Sequence, residues 1–375
     1  MWQETINAMV LARMNPFHLA DVHILYHTLG SATAVMEHRA DIRQVIPEAT
    51  LRLVEALRAD ISALQRRAEE ECRYCEQYGI QALTPQDEGY PERLKNCDDA
   101  PLVLYYKGNA NLNARRVVNI VGTRRCTIYG QDLIRRFVFD LKAACPQVLI
   151  VSGLAYGVDI CAHRAALECG YETVGVLAHG LDDLYPSRHR ATAQQMVGQG
   201  GLLTEFMTGT NADKINFVRR NRIVAGMSDA CILVESAAKG GGLITADIAR
   251  SYGRDVFAFP GRVGDLYSEG CNNLIRDNGA ALITCAADFV HAMRWEGDAR
   301  VVQAQSEGIQ RNLFPDLSAE EKAIVDVLIK NNDLQINMLA TQAGLPVNRV
   351  AALLFELEMK GLVRTLAGGM YHLLR

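Results

Sequence analysis

The sequence predicts an α/β protein: a Rossmann-like, doubly wound, mostly parallel sheet, preceded by a helical domain and followed by a winged helix. Three observations carry that expectation. Between residues 116 and 293 short continuous apolar runs alternate with helical patterns, as in a parallel sheet covered on both faces. Residues 1–80 hold no strand-like run, yet their apolar residues recur three and four apart. Residues 317–375 read as helix, helix, turn, helix and a Gly-rich hairpin.

The helical domain, residues 1–80, is expected to be SAM-like or helix-hairpin-helix-like. It carries 8 Lys/Arg against 11 Asp/Glu and is poorly suited to gripping phosphates alone. Its Cys72-Arg-Tyr-Cys75 is a lone CxxC, and two ligands do not make a structural zinc site. His23 and His27 stand four apart without a metal motif and read as solvated helix residues. After Gly79 the chain turns proline-rich, with Pro85, Pro91 and Pro101. It reads as a connector that ends in an edge strand at Leu102–Tyr106.

Seven strands then follow: RVVNIVG, QVLIVSG, ETVGVLAHG, GGLLTEF, DACILVES, DVFAFPG and AALIT. With the lead-in this region spans 81–296. Residues 297–316 have weak periodicity and read as a linker. In residues 317–375, Ser318 at an N-cap position with Glu321 three later is a capping-box pattern. The turn falls at Gly344-Leu345-Pro346. Val350, Leu353, Leu354 and Leu357 recur at helical spacing and read as this small domain's core.

Composition narrows the function. Of the 375 residues, 49% are hydrophobic and 22% charged, enough apolar side chain to exclude disorder as the main state. A net charge of -4 excludes a globally basic coat protein but permits a local basic cleft. No apolar run approaches the length of a membrane span, and the N-terminus lacks a signal-peptide pattern. Ten cysteines in a chain of this length are too dilute for a disulfide scaffold. The expectation is a cytoplasmic chain with reduced thiols, no cofactor, no metal and no membrane partner.

Ligands of doubly wound sheets sit beyond the carboxyl ends of the strands. Four loops there carry chemistry. Gly122-Thr123-Arg124 ends a strand and opens a helix, where backbone N–H groups attract anions; the alternative is a tight turn with solvated arginines. Ser152, Asp159 and His163 offer a hydrolase's residue types without a nucleophile elbow, and the last two are an ordinary i,i+4 pair. Lys214, Phe217, Arg219, Arg220, Asn221 and Arg222 set four cations and an aromatic at a helix start. That mixture suits single-stranded nucleic acid; the alternative is a surface charge run with Phe217 in the core. Gly240-Gly241-Gly242 precedes another helix and forms a second anion-accepting turn, or serves tight helix-to-sheet approach.

Five separated blocks in order resemble one family, DNA-processing protein A, also called DprA or Smf. They are GIQALTPQDEGYPERLKNCDDAPLVLYYKGN, VNIVGTRRCTIYG, IVSGLAYGVDICAHRAAL, KINFVRRNRIVAGMSDACILVES, and GGLITADIARSYGRDVFAFPG with EGCNNLIRDNGAALI. Thr123 stands where Ser is usual, and Tyr156 where a basic residue is often seen. The 318–375 segment resembles the winged-helix tail of many members. The resemblance implies binding of single-stranded DNA, protection of incoming DNA in natural transformation, loading of a RecA-type recombinase, a homodimer, and no established enzymatic activity. It implies a pocket using Arg124, Lys214 and Phe217. Two other readings compete. One is a nucleotide phosphoribohydrolase on the same scaffold, for which Asp247 is a weak stand-in for the missing Glu. The other is a duplex-binding regulator acting through the winged helix. The winged-helix segment carries six Lys/Arg and six Asp/Glu, so a protein-contact role suits it better than a DNA grip.

Overall fold

The computed structural model describes residues 2–14, 19–296, 317–366 and 369–374. The expected linker at 297–316 lies outside them. The chain forms two compact units, residues 1–297 and 298–375.

The first unit begins with six helices: α1 (Gln3–Arg13), α2 (Leu19–Leu29), α3 (Ala32–Glu37), α4 (Ile42–Val45), α5 (Leu51–Arg58) and α6 (Ser62–Tyr78). Gly79, at φ +63°, ends α6 in the left-handed conformation that glycine adopts without steric cost. Cys72 and Cys75 lie on the buried side of α6 among apolar neighbours. Burial pushes their thiols up, to about 11 and about 12. His23 corrects the solvated reading: it is 7% exposed and its Nε2 lies 2.6 Å from the Ala100 carbonyl oxygen. The connector folds back over α2 and covers it, which spacing along one helix does not reveal. Leu11, Leu25 and Leu57 of the helical region share a core with Val103, Tyr105 and Met207 of the sheet region.

The sheet holds nine strands: β1 (Gln81–Leu83), β2 (Leu104–Gly108), β3 (Val117–Val121), β4 (Leu149–Ser152), β5 (Thr173–Val176), β6 (Gly200–Thr204), β7 (Ala230–Leu233), β8 (Asp255–Ala258) and β9 (Ala281–Leu282). Their order is β1-β2-β6-β5-β4-β3-β7-β8-β9. From β6 to β9 every pairing is parallel; β2 is antiparallel to both β1 and β6. The doubly wound class therefore stands. The strand expected at the edge is second from it, because β1, only three residues long, pairs outside it. So short a strand shows no alternation in sequence.

After β1 come α7 (Glu92–Lys95), α8 (Ile128–Ala144), α9 (Val158–Glu168), α10 (Arg190–Gly198), α11 (Lys214–Gly226), α12 (Gly241–Ser251), α13 (Glu269–Arg276) and α14 (Ala286–Ala292). They cover two faces. One core gathers Val117, Val151, Val176, Ile223 and Ala249. The other gathers Ile120, Ile150, Phe137, Ala165 and Phe289. Alternate residues of one strand thus enter opposite cores, which requires strands apolar on both sides. The chain leaves β3 toward β4, β5 and β6, then returns to the other side of β3 as β7. Between β3 and β7 the winding reverses, and a crevice opens at their carboxyl ends.

The second unit holds α15 (Ala319–Lys330), β10 (Leu334–Gln335), α16 (Ile336–Ala343), α17 (Val347–Met359), β11 (Val363–Leu366) and β12 (Met370–Leu373). Ser318 and Glu321 form the capping box reciprocally. Gly344, at φ +66°, turns α16 into α17, and the strands pair in the order β10-β12-β11, a winged helix. Val350, Leu353, Leu354 and Leu357 are all at most 1% exposed and build its core. Leu353→Ala therefore costs about 2–5 kcal/mol. Denaturant unfolding followed by hydrogen exchange will show the loss in residues 317–374, with protection of the nine-stranded sheet unchanged.

Candidate nucleic-acid interface

A cavity of about 640 Å³ opens at the β3/β7 reversal. It is walled by the loops after β3, β4, β5, β6 and β7, by one face of α11 and by the first turns of α9 and α12.

The β3 loop is fixed before any ligand arrives. Thr123 donates its N–H to the Glu235 carbonyl at 2.7 Å, and its own carbonyl accepts from Val158 N–H at 3.1 Å. Glu235, 5% exposed, also takes Thr127 N–H at 2.8 Å and Thr127 Oγ1–H at 2.5 Å. Thr127 in turn caps α8. The crevice is too tight for side chains at its base. A Cβ on Gly122 would meet the Glu235 carbonyl oxygen at 2.6 Å, and one on Gly242 would meet Gly122 Cα at 2.9 Å. Gly241 faces open space instead, at the first turn of α12.

The N-termini of α9, α11 and α12 all contribute lining residues. Their dipoles favour an anion there, although Val158 N–H at α9 and Asn216 N–H at α11 already have acceptors. Lys214, exposed in the first turn of α11, puts a cation where the helix dipole disfavours one. The Arg124 guanidinium lies 4.7 Å above the Phe217 ring, and the Tyr185 ring meets Phe217 edge-on at 5.9 Å. Phe217 is half-buried rather than in the core.

Arg220 is 4% exposed and forms the cavity's floor. Its Nη1 donates to the Gly153 carbonyl at 2.5 Å and to the Val176 carbonyl, at the ends of β4 and β5. Burial lowers its pKa to about 10, against the pull of the Asp159 carboxylate. Burial likewise raises the Asp159 carboxyl, while Arg220 opposes the shift. Asn221 lines the cavity beside it and accepts from Arg220 Nε at 3.3 Å.

Thr123, Arg124, Lys214, Phe217, Arg220, Asn221, Gly241 and Gly242 therefore meet at one cavity. Arg219 and Arg222 do not line it. Arg222 is buried and bonded to Glu205 Oε2 at 2.5 Å and to the Asp99 carbonyl at 2.5 Å. Arg219 is exposed, 5.5 Å over the Phe206 ring and 3.9 Å from Glu205 Oε2. Helical periodicity sends these two to other faces of α11, a distinction that residue type alone does not make. Tyr185 is the site residue that sequence reasoning passed over. It lies in the segment after β5, and the strand-end rule applied to LDDLYPSRH would have found it.

Of the hydrolase reading's residues, Asp159 lines the cavity against Arg220, while Ser152 and His163 are engaged elsewhere. Ser152 Oγ donates to the Ile120 carbonyl at 2.6 Å. Thr173 Oγ1 donates to the Ile150 carbonyl, so at 2.7 Å it accepts from His163 Nδ1–H. Asp247 is exposed, 3.7 Å from Arg250, and does not line the cavity.

Comparison with known proteins agrees with this architecture. The family model described as DNA recombination-mediator protein A matches residues 81–294. The chain belongs to that family. A second model, the DprA winged helix domain, matches residues 313–369 of this DNA recombination-mediator protein A member. DNA processing protein DprA of Streptococcus pneumoniae is 39% identical over 204 residues, 54% of this chain and 71% of the relative. The X-ray structure of that protein superposes with a TM-score of 0.58 at 30% identity, covering 74% of this chain and 98% of the other. DNA processing protein A of Helicobacter pylori, described for its single-stranded DNA binding mode, gives a TM-score of 0.53 at 29% identity. It covers 58% of this chain and 97% of the other. Among the described residues, no helix is long and apolar enough to cross a membrane, and no three His, Cys, Asp or Glu side chains gather to hold a metal.

His163 lies beneath the site, fully buried and neutral. Burial is the main cause that lowers its pKa to about 3, with Arg220 adding to it. A base whose folded pKa lies below its ordinary 6.5 stabilises the fold above that value. The contribution is lost as pH falls from 6.5 toward 3, because the unfolded state then binds the extra proton. At pH 5, a unit and a half below the ordinary value, the loss is about 2 kcal/mol. Urea unfolding at pH 7 and pH 5 measures it, and His163→Asn will show a smaller difference between the two.

Proposed function

We propose that this chain binds single-stranded DNA in the β3/β7 cavity. One observation carries the reading: a cation and an aromatic ring, Arg124 and Phe217, stand together where three helix N-termini converge. Phosphates meet Arg124, Lys214, Thr123 and the N–H groups at Gly241 and Gly242. A base shares the Phe217 ring, contributing about 1–3 kcal/mol. Arg220 and Asn221 hold the floor. Arg222 positions α11 through Glu205, and Arg219 stands off this cavity on another face of the helix. A duplex hides its base faces, so the stacking ring favours single strands.

Family membership supports the wider reading: protection of incoming DNA during transformation, and its delivery to a RecA-type recombinase by a homodimer. Two pockets on one strand gain avidity through effective concentration. The position of Asp247 favours binding over glycosidic cleavage. In the winged helix, Arg349 is bound to Glu320 by two bonds of 2.8 and 2.6 Å, and Phe355 and Met359 are exposed on α17. This supports a protein contact rather than a DNA grip for that domain, with 1–80, 81–296 and 317–375 as functional divisions.

Binding of single-stranded oligomer, duplex and mononucleotide, compared for wild type and Arg124→Ala, tests the reading. Arg124→Ala and Lys214→Ala will each weaken the single strand and lower its salt slope by about 0.7. Phe217→Leu will weaken binding with the slope unchanged, because stacking releases no counterions. Tight mononucleotide binding with base release would instead establish the hydrolase. Deleting residues 317–375 will leave single-strand affinity within about threefold, less than 1 kcal/mol; a hundredfold loss with the sheet intact would move the DNA site to the winged helix.

A further inference from the structure

On the opposite side of α11 lies a second cavity, of about 440 Å³. Its wall brings the helical region and the sheet together: Arg13 and Met14 at the end of α1, Tyr105 on β2, and Glu205 and Phe206 beyond β6. The first two turns of α11 divide the two cavities. Lys214 and Phe217 face the first, and Asn216 and Arg219 face the second.

The second cavity shares one feature with the first, a guanidinium over an aromatic ring, although Phe206 is buried where Phe217 is half-buried. There Arg124 lies over Phe217; here Arg219 lies over Phe206, at 4.7 and 5.5 Å respectively. Arg13 is exposed at the rim and reaches Met207 Sδ at 3.2 Å, a weak acceptor that a phosphate oxygen readily replaces. Glu205 is the carboxylate that faces these cations. Its Oε2 is held by the buried Arg222 at 2.5 Å and lies 3.9 Å from Arg219, its Oε1 is buried without a hydrogen-bond partner, and Asp99 lies 4.0 Å from Arg222 on the other side. Three guanidiniums thus stand against two carboxylates, and the two exposed guanidiniums, Arg13 and Arg219, are the ones at the cavity. At the crossing, the Asp213 carboxylate is occupied in capping α11 through Asn216 N–H at 2.7 Å, beside Lys214.

Resting on the reading of the first cavity, we infer that the second is a continuation site for the same strand. The strand passes over the first turn of α11 and places further nucleotides against Arg219 and Arg13. The helical region then takes part in DNA binding through α1. This gives Arg219, which lies off the first cavity, a phosphate of its own.

Strand length separates the two sites. The probes are oligothymidines of about four and about twelve nucleotides, lengths within the range of single-strand site sizes. They are titrated by fluorescence anisotropy against the full chain. A phosphate contact on a single strand is worth about 0.7 of a decade at 0.1 M salt, about fivefold. Arg13→Gln and Arg219→Gln are each expected to weaken the longer probe about fivefold and leave the shorter unchanged, while Arg124→Ala weakens both. Both arginines are exposed, and unchanged thermal unfolding will show that the variants fold. If Arg124→Ala weakens both probes but Arg13→Gln and Arg219→Gln weaken neither, the second site is overturned and the first stands. If Arg219→Gln weakens short and long probes alike, Arg219 serves the first cavity and the continuation is overturned. If Arg124→Ala changes neither probe, the first reading fails and the continuation with it.

Discussion

A guanidinium held away from water is tolerated only when its hydrogen bonds and charge are met, and Arg220 meets both at the carboxyl ends of β4 and β5. The Gly153 and Val176 carbonyls accept its hydrogen bonds, and Asp159 balances its charge. Those contacts fix α11 across the mouth of the crevice. The orientation of the helix follows, and with it the direction of every other side chain it bears. Gly153 belongs to the same constraint, since a Cβ there would collide with the guanidinium. Arg222, two residues on, fastens the helix to Glu205. One sequence run, RRNR, therefore divides between inward anchors and an outward cation.

That division explains which part of the site the sequence could show. Loops after β3 and β7 were legible because a strand end, glycines and a helix start announce a ligand-facing turn, whatever the ligand. Lys214 and Phe217 were legible because an aromatic among cations has few uses in a core. The fate of each arginine was not legible. Arg219, Arg220 and Arg222 have the same side chain, and only the rotation of α11 against β5 and β6 separates them. Tyr185 carries only the general signal of a strand end, in the segment after β5; its contact with Phe217 is made by the tertiary fold.

The fold itself was easier to read, and its failures have simple causes. Strands buried on two faces stand out as unbroken apolar runs, and the capping box and Gly344 turn mark the winged helix. β1 is three residues long and begins with Gln81, so it carried no signal. Its pairing makes β2 an interior strand. His23 was misread for a related reason. A helix's own pattern shows which side is apolar, but not that a connector will fold over a polar residue and supply it with a carbonyl.

The β3 loop has a thermodynamic consequence. Gly122 packs against Gly242, and Thr123 is tied by backbone bonds on both sides, so the backbone of this turn loses little freedom when an anion arrives, and the exposed Arg124 side chain is what remains to be ordered. Most of the entropy of association is then borne by the incoming molecule. A flexible, pliable polyanion must stiffen to fit, while a rigid one must already have the right curvature. Selectivity at such a cradle arises from the mechanical compliance of the guest, because the host has already been set in place by folding.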